Sequence, residues 1–364
     1  MSTHNHNHNP GFSGRLEDRW GLGAAGWPQP ALSDYRPIPV DETGSTFLPD
    51  RLAKGYHREE IGDGVHYVTT GAYDAMFVQT DAGVVVVDNP PTLAENMKAA
   101  IAEVTDEPVT HFIYSHWHAD HVGAVGVFGE DVTYVAQRQT RELLERWPDI
   151  GGPRGMRLPT ELFEDHETLN VGGVEIELNY HGVNHSVGNS FIYLPKQKVL
   201  AAIDIFSPGW TAFRHCDASE NIRGWTEAHD WILEYDFNAV VCGHTNHWGT
   251  RADAQESRDY VFDMVEFSKE ALNSTVDQEL FERFGLANAW VLWDAYFNEL
   301  SNEVTYKTLN KVTDNGQTWA QRLAGADVMT KYHAYSILEA LRLEWGLLTG
   351  FEQRVSPQPE GAAA

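Results

Sequence analysis

Cysteine is nearly absent. Only Cys216 and Cys242 occur in 364 residues, too few for a disulfide framework and consistent with a reducing compartment. The expected location is therefore the cytoplasm. Basic residues are also scarce: 26 Lys and Arg stand against 53 Asp and Glu, giving a formal net charge of -27. A surface of that sign disfavours nucleic acid, whose phosphates need a basic patch. No stretch approaches the roughly 18 consecutive apolar residues of a membrane span, so no membrane partner is expected. The first residues lack the basic stretch and following apolar run of a secretory signal. A Gly-x-Ser-x-Gly elbow and a Gly-Lys-Thr/Ser phosphate loop are also missing, which removes two common routes to hydrolysis.

What is present is an ordinary globular composition, 42% apolar, in a chain long enough for one large domain and a smaller one. Residues 1–55 are rich in Asn, Gly and Pro and read as an extended arm, with His4, His6 and His8 alternating with asparagine. Short β-rich runs follow at 65–70, 75–80 and 83–88, the last with four successive valines. A helix is expected over 92–104, with Leu93, Met97, Ala100, Ile101 and Val104 on one face. Further strands are read at 109–114, 132–135, 174–180, 190–194, 199–203 and 239–242, with helices at 140–146 and 222–235. Two sheets sandwiched between helices fit this α/β mixture over 56–260. Beyond it, helices at 252–272, 287–300 and 326–348 lead to a C-terminal helical domain or cap over 261–364. Its aromatics, Trp290, Trp293 and Phe297 among them, read as core or as contacts of a homo-oligomer.

The strongest chemical signal is Ser115-His116-Trp117-His118-Ala119-Asp120-His121, directly after an apolar strand. Imidazoles at alternate positions of an extended loop point the same way and can share one ion, while Asp120 and His121 face a second position. Imidazole with carboxylate favours zinc; iron, manganese or cobalt accept much the same donors. One short loop cannot enclose two ions, so further donors are sought at other strand ends. His185 lies in a glycine-punctuated loop, Asp204 follows an apolar run where an unpaired carboxylate would be costly, and His244 follows Val240, Val241, Cys242 and Gly243. His181 and His247 are close to two of these donors in sequence and are read as neighbours of the pocket.

Over roughly 60–260 the sequence resembles the metallo-β-lactamase superfamily. The motif His-x-His-x-Asp-His stands at 116–121, and a Gly-rich loop with a third histidine, an aspartate ending a strand and a Gly-His ending another follow in order at His185, Asp204 and His244. The resemblance implies an αββα sandwich. It implies two Zn2+ ions, one held by His116, His118 and His185, the other by Asp120, His121 and His244, with Asp204 between them. Asp120 would be the catalytic residue, orienting a hydroxide shared by the two ions for attack on an ester, lactone, thioester or amide bond of a small-molecule substrate.

The alternatives implied on the same scaffold are a β-lactam or sulfate-ester hydrolase, or a mononuclear iron dioxygenase of persulfide type. True β-lactamases of the superfamily carry Cys or Ser where Asp204 stands, and alkylsulfatases use glutamates among their later ligands. The segment 206–217, with Trp210, Phe213, Arg214 and His215, is read equally as a pocket wall for an aromatic or acyl group and as a loop packed on the helical domain.

Overall fold

The computed structural model describes residues 38, 40, 49–273 and 277–347. Most of the expected arm, including His4, His6 and His8, lies outside the described residues. Where the arm is described, the Ile38 N–H donates to Asp327 Oδ2 at 2.8 Å.

Seven strands form one sheet in chain order: β1 (His57–Gly62), β2 (Val65–Thr69), β3 (Asp74–Thr80), β4 (Gly83–Val87), β5 (Val109–Ile113), β6 (Thr133–Gln137) and β7 (Glu161–Phe163). The first four are antiparallel neighbours, and β4 to β7 run parallel. The second sheet has the order β12 (Ala239–Val241), β11 (Val199–Ala201), β10 (Phe191–Leu194), β9 (Val174–Asn179), β8 (His166–Val171), with only β11 and β12 parallel.

The valine run of β4 shows why the sheets stack. Val85 and Val87 point between the sheets with Tyr67, Met76, Ile192 and Val241, whereas Val84 and Val86 point outward with Leu93, Met97 and Leu144. A strand apolar on both faces needs cover on both. Helices α1 (Glu95–Ala102) and α3 (Arg138–Arg146) supply the outer cover of the first sheet. Between them lies the single turn α2 (Ala119–Val122).

The outer face of the second sheet, with Phe191, Tyr193, Leu200 and Val240, packs on Trp225, Tyr260, Met264, Leu300 and Ile337. These come from α4 (Ile222–Glu234), α5 (Arg251–Leu272), α7 (Ala289–Asn310) and α9 (Ala326–Leu343), with α6 (Asp277–Phe284) and α8 (Trp319–Arg322) completing the helical region. The result is the expected αββα sandwich with a helical C-terminal region. Position 260 falls inside α5, whose start is fixed by a capping box between Thr250 and Asp253. Among the described residues no helix is long and apolar enough to cross a membrane.

Three differences from the expected elements have physical causes. Strand β1 reads His-Arg-Glu-Glu-Ile-Gly and is partly exposed at a sheet edge, where alternation is not required. Strand β8, half-exposed at the far edge of the second sheet, escapes the pattern for the same reason. Helix α7 continues about ten residues past the expected end, because Thr305 and Thr308 are buried beside Val304 and Leu309 and hide the apolar stripe.

Candidate metal centre

Every donor proposed from the sequence comes from a strand end, a loop or the short helix α2 at one rim of the sandwich. His116 and His118 follow β5, and Asp120 and His121 lie on α2. His185 is on the loop from β9 to β10, Asp204 follows β11 and His244 follows β12. The structure brings all of them together. Asp204 sits in the middle: its Oδ2 lies 3.0 Å from His121 Nε2, 3.3 Å from His185 Nε2 and 3.6 Å from His116 Nε2, and its Oδ1 lies 3.3 Å from His244 Nε2. His185 Nε2 also lies 3.0 Å from His118 Nδ1, and Asp120 Oδ2 lies 3.6 Å from His121 Nε2.

Two groups of donors can each surround a point: His116, His118, His185 and Asp204, and separately Asp120, His121 and His244, with donor atoms within 4.8 Å of one another in each group. Metal bonds of about 2.0–2.2 Å around a tetrahedral ion place neighbouring donors about 3.3–3.6 Å apart, close to the spacings found. His116 Nε2, His121 Nε2 and Asp204 Oδ1 are buried without an aligned hydrogen-bond partner among the described residues. Buried polar atoms are ordinarily satisfied. These residues therefore fit a divalent ion by both spacing and donor type.

The surroundings fix which nitrogen each ring offers. Ser115 Oγ lies 2.9 Å from His116 Nδ1 and donates its own proton to Asp88 Oδ2 at 2.5 Å, so Nδ1 carries the hydrogen and Nε2 keeps its lone pair. His244 Nδ1 lies 3.1 Å from the Ala72 carbonyl, which likewise frees Nε2. Asn184 Oδ1 accepts from the His185 N–H and from Asn189 Nδ2, which also donates to the Ile203 carbonyl, tying the His185 loop to the end of β11. Glu220 accepts from the Val187 N–H at 3.0 Å and lies 4.0 Å from His118 Nε2.

Asp204 itself has a left-handed backbone, φ 62°, a conformation Asp tolerates better than most residues. Gly243 packs against it: a Cβ there would lie 2.5 Å from Asp204 Oδ1, and φ is +95°. No other residue type fits that approach.

Electrostatics follow from burial and crowding. Burial, then the neighbouring rings, holds His116 well below the ordinary imidazole range, and His185 is pushed down to about 3 mainly by burial. His118 is lowered by burial as well. For His121 burial acts in the same direction but is outweighed by Asp204, Asp120 and Asp88, which lift it to about 10. For Asp204 burial is likewise outweighed, here by His121, His244 and His185, which hold the carboxyl ionised. His116, His118 and His185 thus keep lone pairs free for a cation beside an ionised Asp204, whereas His121 would release its proton on binding one.

The cluster forms the floor of a cleft of 640 Å3 whose wall includes Tyr73, Trp210, Phe213, Val328 and Met329. Phe213 is 61% exposed, so the segment 206–217 is a pocket wall rather than only packing. The C-terminal region closes the cleft: the Thr211 N–H donates to the Ala324 carbonyl, and the Ala324 N–H to the Gly209 carbonyl. Among the described residues no Lys or Arg lines the cleft. Arg214 instead stacks over Tyr332, and His215 lies 3.0 Å from Ser336 Oγ.

Residues 68–244 match the family model described as the metallo-beta-lactamase superfamily. The chain belongs to the metallo-β-lactamase superfamily. Within it, the chain is 30% identical over 159 residues to the 2,4-dinitroanisole O-demethylase subunit alpha of Nocardioides sp. (strain JS1661), covering 42% of this chain and 47% of that one. The match thus spans about half that relative's length. It is 21% identical over 232 residues to the metallo-beta-lactamase type 2 of Bacteroides fragilis, 60% of this chain and 86% of that one. Among solved structures, the sec-alkylsulfatase Pisa1 from Pseudomonas sp. superposes with a TM-score of 0.55 at 17% identity, over 84% of this chain and 52% of that one. That likeness is one of fold.

Some members of this metallo-β-lactamase site escaped the sequence reading. Asp88, which closes the valine run of β4, carries the same signal as Asp204, a carboxylate at the end of an apolar strand. It is buried and pushed up to about 6 by burial. Glu220 and Asp217 carry no such signal. Asp217 lines the cleft, with its carboxyl pushed up to about 7 by burial and then by the charge of Asp204. His181, read as a pocket neighbour, instead stacks on Trp231 and lies 2.8 Å from the Tyr235 hydroxyl, outside the cleft lining. His247, half-buried beside Asn246, is also absent from that lining.

Proposed function

We propose that the chain is a metal-dependent hydrolase that holds two divalent ions, zinc by first preference, and attacks the ester, lactone, thioester or amide bond of an uncharged small molecule. The observation that carries the reading is the convergence of six donor side chains around Asp204, in two groups of which it belongs to the first. His116, His118 and His185 would hold one ion, Asp120, His121 and His244 the other, and Asp204 would face both. When bound, such ions supply Lewis acidity that activates water near neutral pH and polarises a substrate oxygen.

The protein's own groups do the rest. Asp120, with 45% of its side chain exposed on the cleft floor, orients the attacking water and accepts its hydrogen bond. Tyr73 keeps its proton, because burial and then the carboxylates of Asp120, Asp204 and Asp217 raise its hydroxyl above the ordinary range. It can therefore donate to a substrate oxygen. Trp210, Phe213, Val328 and Met329 receive the acyl or aryl group and exclude water around it. Among the described residues the wall offers no Lys or Arg to hold the charge of a sulfate or phosphate ester beyond the metal positions. The resemblance to the 2,4-dinitroanisole O-demethylase favours a second reading, in which an electron-poor aryl ether is the bond broken.

The test is a screen of the metal-loaded full chain, with an Asp120→Ala control, against aryl esters, lactones, thioesters, sulfate esters and electron-poor aryl ethers. Turnover of the neutral acyl substrates should fall about a hundredfold or more in the control. Turnover confined to sulfate esters, or equal rates in Asp120→Ala, would defeat the reading; turnover confined to aryl ethers would select the second one.

A further inference from the structure

Beside the two donor groups already described stands a third: Asp204, Asp217 and His244 place donor atoms within 4.8 Å of one another. Asp204 Oδ1 faces His244 Nε2 at 3.3 Å. It is a buried oxygen with no aligned hydrogen-bond partner among the described residues. Asp217 reaches this point through an unusual path. Residues His215, Cys216, Asp217 and Ala218 all have left-handed backbone, φ 55°, 56°, 61° and 53°. For residues other than glycine this conformation is unfavourable.

The turn is held in place from α9 and from within. His333 Nε2 lies 2.8 Å from the Phe213 carbonyl, the Asp217 N–H donates to the same carbonyl at 2.9 Å, and His215 Nδ1 lies 3.0 Å from Ser336 Oγ. The helical region thus fixes the backbone that brings a third carboxylate to the metal rim.

We propose that Asp217 is a further ligand at the position held by Asp120, His121 and His244. This rests on the two-ion reading above. With Asp204 shared, that position has the carboxylates of Asp120, Asp204 and Asp217 and the imidazoles of His121 and His244. The other has three imidazoles and Asp204. Zinc in catalytic sites commonly takes about three protein ligands and a water, whereas a carboxylate-rich set suits an ion that accepts five or six donors, such as manganese. The two positions are therefore chemically unequal, and Asp217 makes the second the harder one.

The test is metal titration of the metal-free full chain and of Asp217→Asn, read by competition with a chromophoric chelator, with Zn2+ and Mn2+ in turn. Asp217→Asn should leave the first ion unchanged and weaken the second by about tenfold or more, as loss of a metal-site partner does elsewhere, with Mn2+ losing more than Zn2+. A second ion bound as tightly in Asp217→Asn as in the wild type overturns the proposal and leaves the two-ion reading intact. A wild type that takes up fewer than two ions overturns both.

Should the variant fail to fold, the wild type decides. In a Zn2+-soaked crystal an Asp217 oxygen about 2.0–2.2 Å from the ion supports ligation. An oxygen well outside bonding distance rejects it.

Discussion

At the scale of single residues, the centre depends on groups that never touch an ion. Asp88 accepts from both the Ser115 N–H and its hydroxyl, at 2.9 and 2.5 Å, and the hydroxyl in turn orients His116. Ser115→Ala should leave the strand in place but free the ring, lowering metal affinity about 10–100-fold, the usual effect of removing such a support. A chelator titration checks this; unchanged affinity would mean that packing alone orients His116. The donors were legible because each ends an apolar strand or interrupts a glycine-rich loop, where a polar side chain has few other reasons to be. Asp217 was not legible, since nothing in His215-Cys216-Asp217-Ala218 announces a left-handed turn. Glu220 was hidden for a related reason: it acts through the His185 loop, 35 residues away in sequence.

At the scale of elements, α9 joins the helical region to the cleft. His333 is buried on it, contacts the Tyr260 hydroxyl of α5 at 3.2 Å and faces the Phe213 carbonyl. His229 is buried on α4, with Nδ1 3.0 Å from the Trp225 carbonyl. Burial pushes both rings down to about 4 from an ordinary 6.5. The unfolded chain therefore binds more protons than the folded one between those values. Stability, full above pH 6.5, is lost as pH falls towards 4, by up to roughly 3 kcal/mol per ring. Denaturant unfolding of the metal-free chain across pH 7 to 4 should show this slope, and His333→Gln should show a shallower one. Equal slopes would mean that His333 is not held neutral by the fold.

The elements themselves were legible where alternation or helical period was strong, as in the valines of β4. They were hidden at sheet edges, as in β1, and where buried threonines replace apolar residues, as in α7. Neither sheet edges nor buried hydroxyls need an apolar pattern.

At the scale of the whole molecule, the net charge of -27 goes with a cleft that, among the described residues, is lined by no Lys or Arg. Under the proposed function this predicts that the protein's net charge disfavours anionic substrates at long range relative to neutral ones. The αββα sandwich supplies the donors at one rim, and the helical region supplies the wall opposite them. Much of this was legible in the order of motifs along the chain. The closure of the cleft by residues 324–329 was not, because it depends on backbone pairing between Gly209–Thr211 and Ala324, more than a hundred residues apart.

The proposed function turns on Asp204 as the shared centre of two candidate cation positions. The direct measurement is the metal content of the full chain by elemental mass spectrometry after loading and dialysis, beside Asp204→Ala. Two ions per chain in the wild type, with a clear loss in Asp204→Ala, is the predicted result. One ion or none in the wild type, or both retained without the Asp204 carboxylate, would contradict the account.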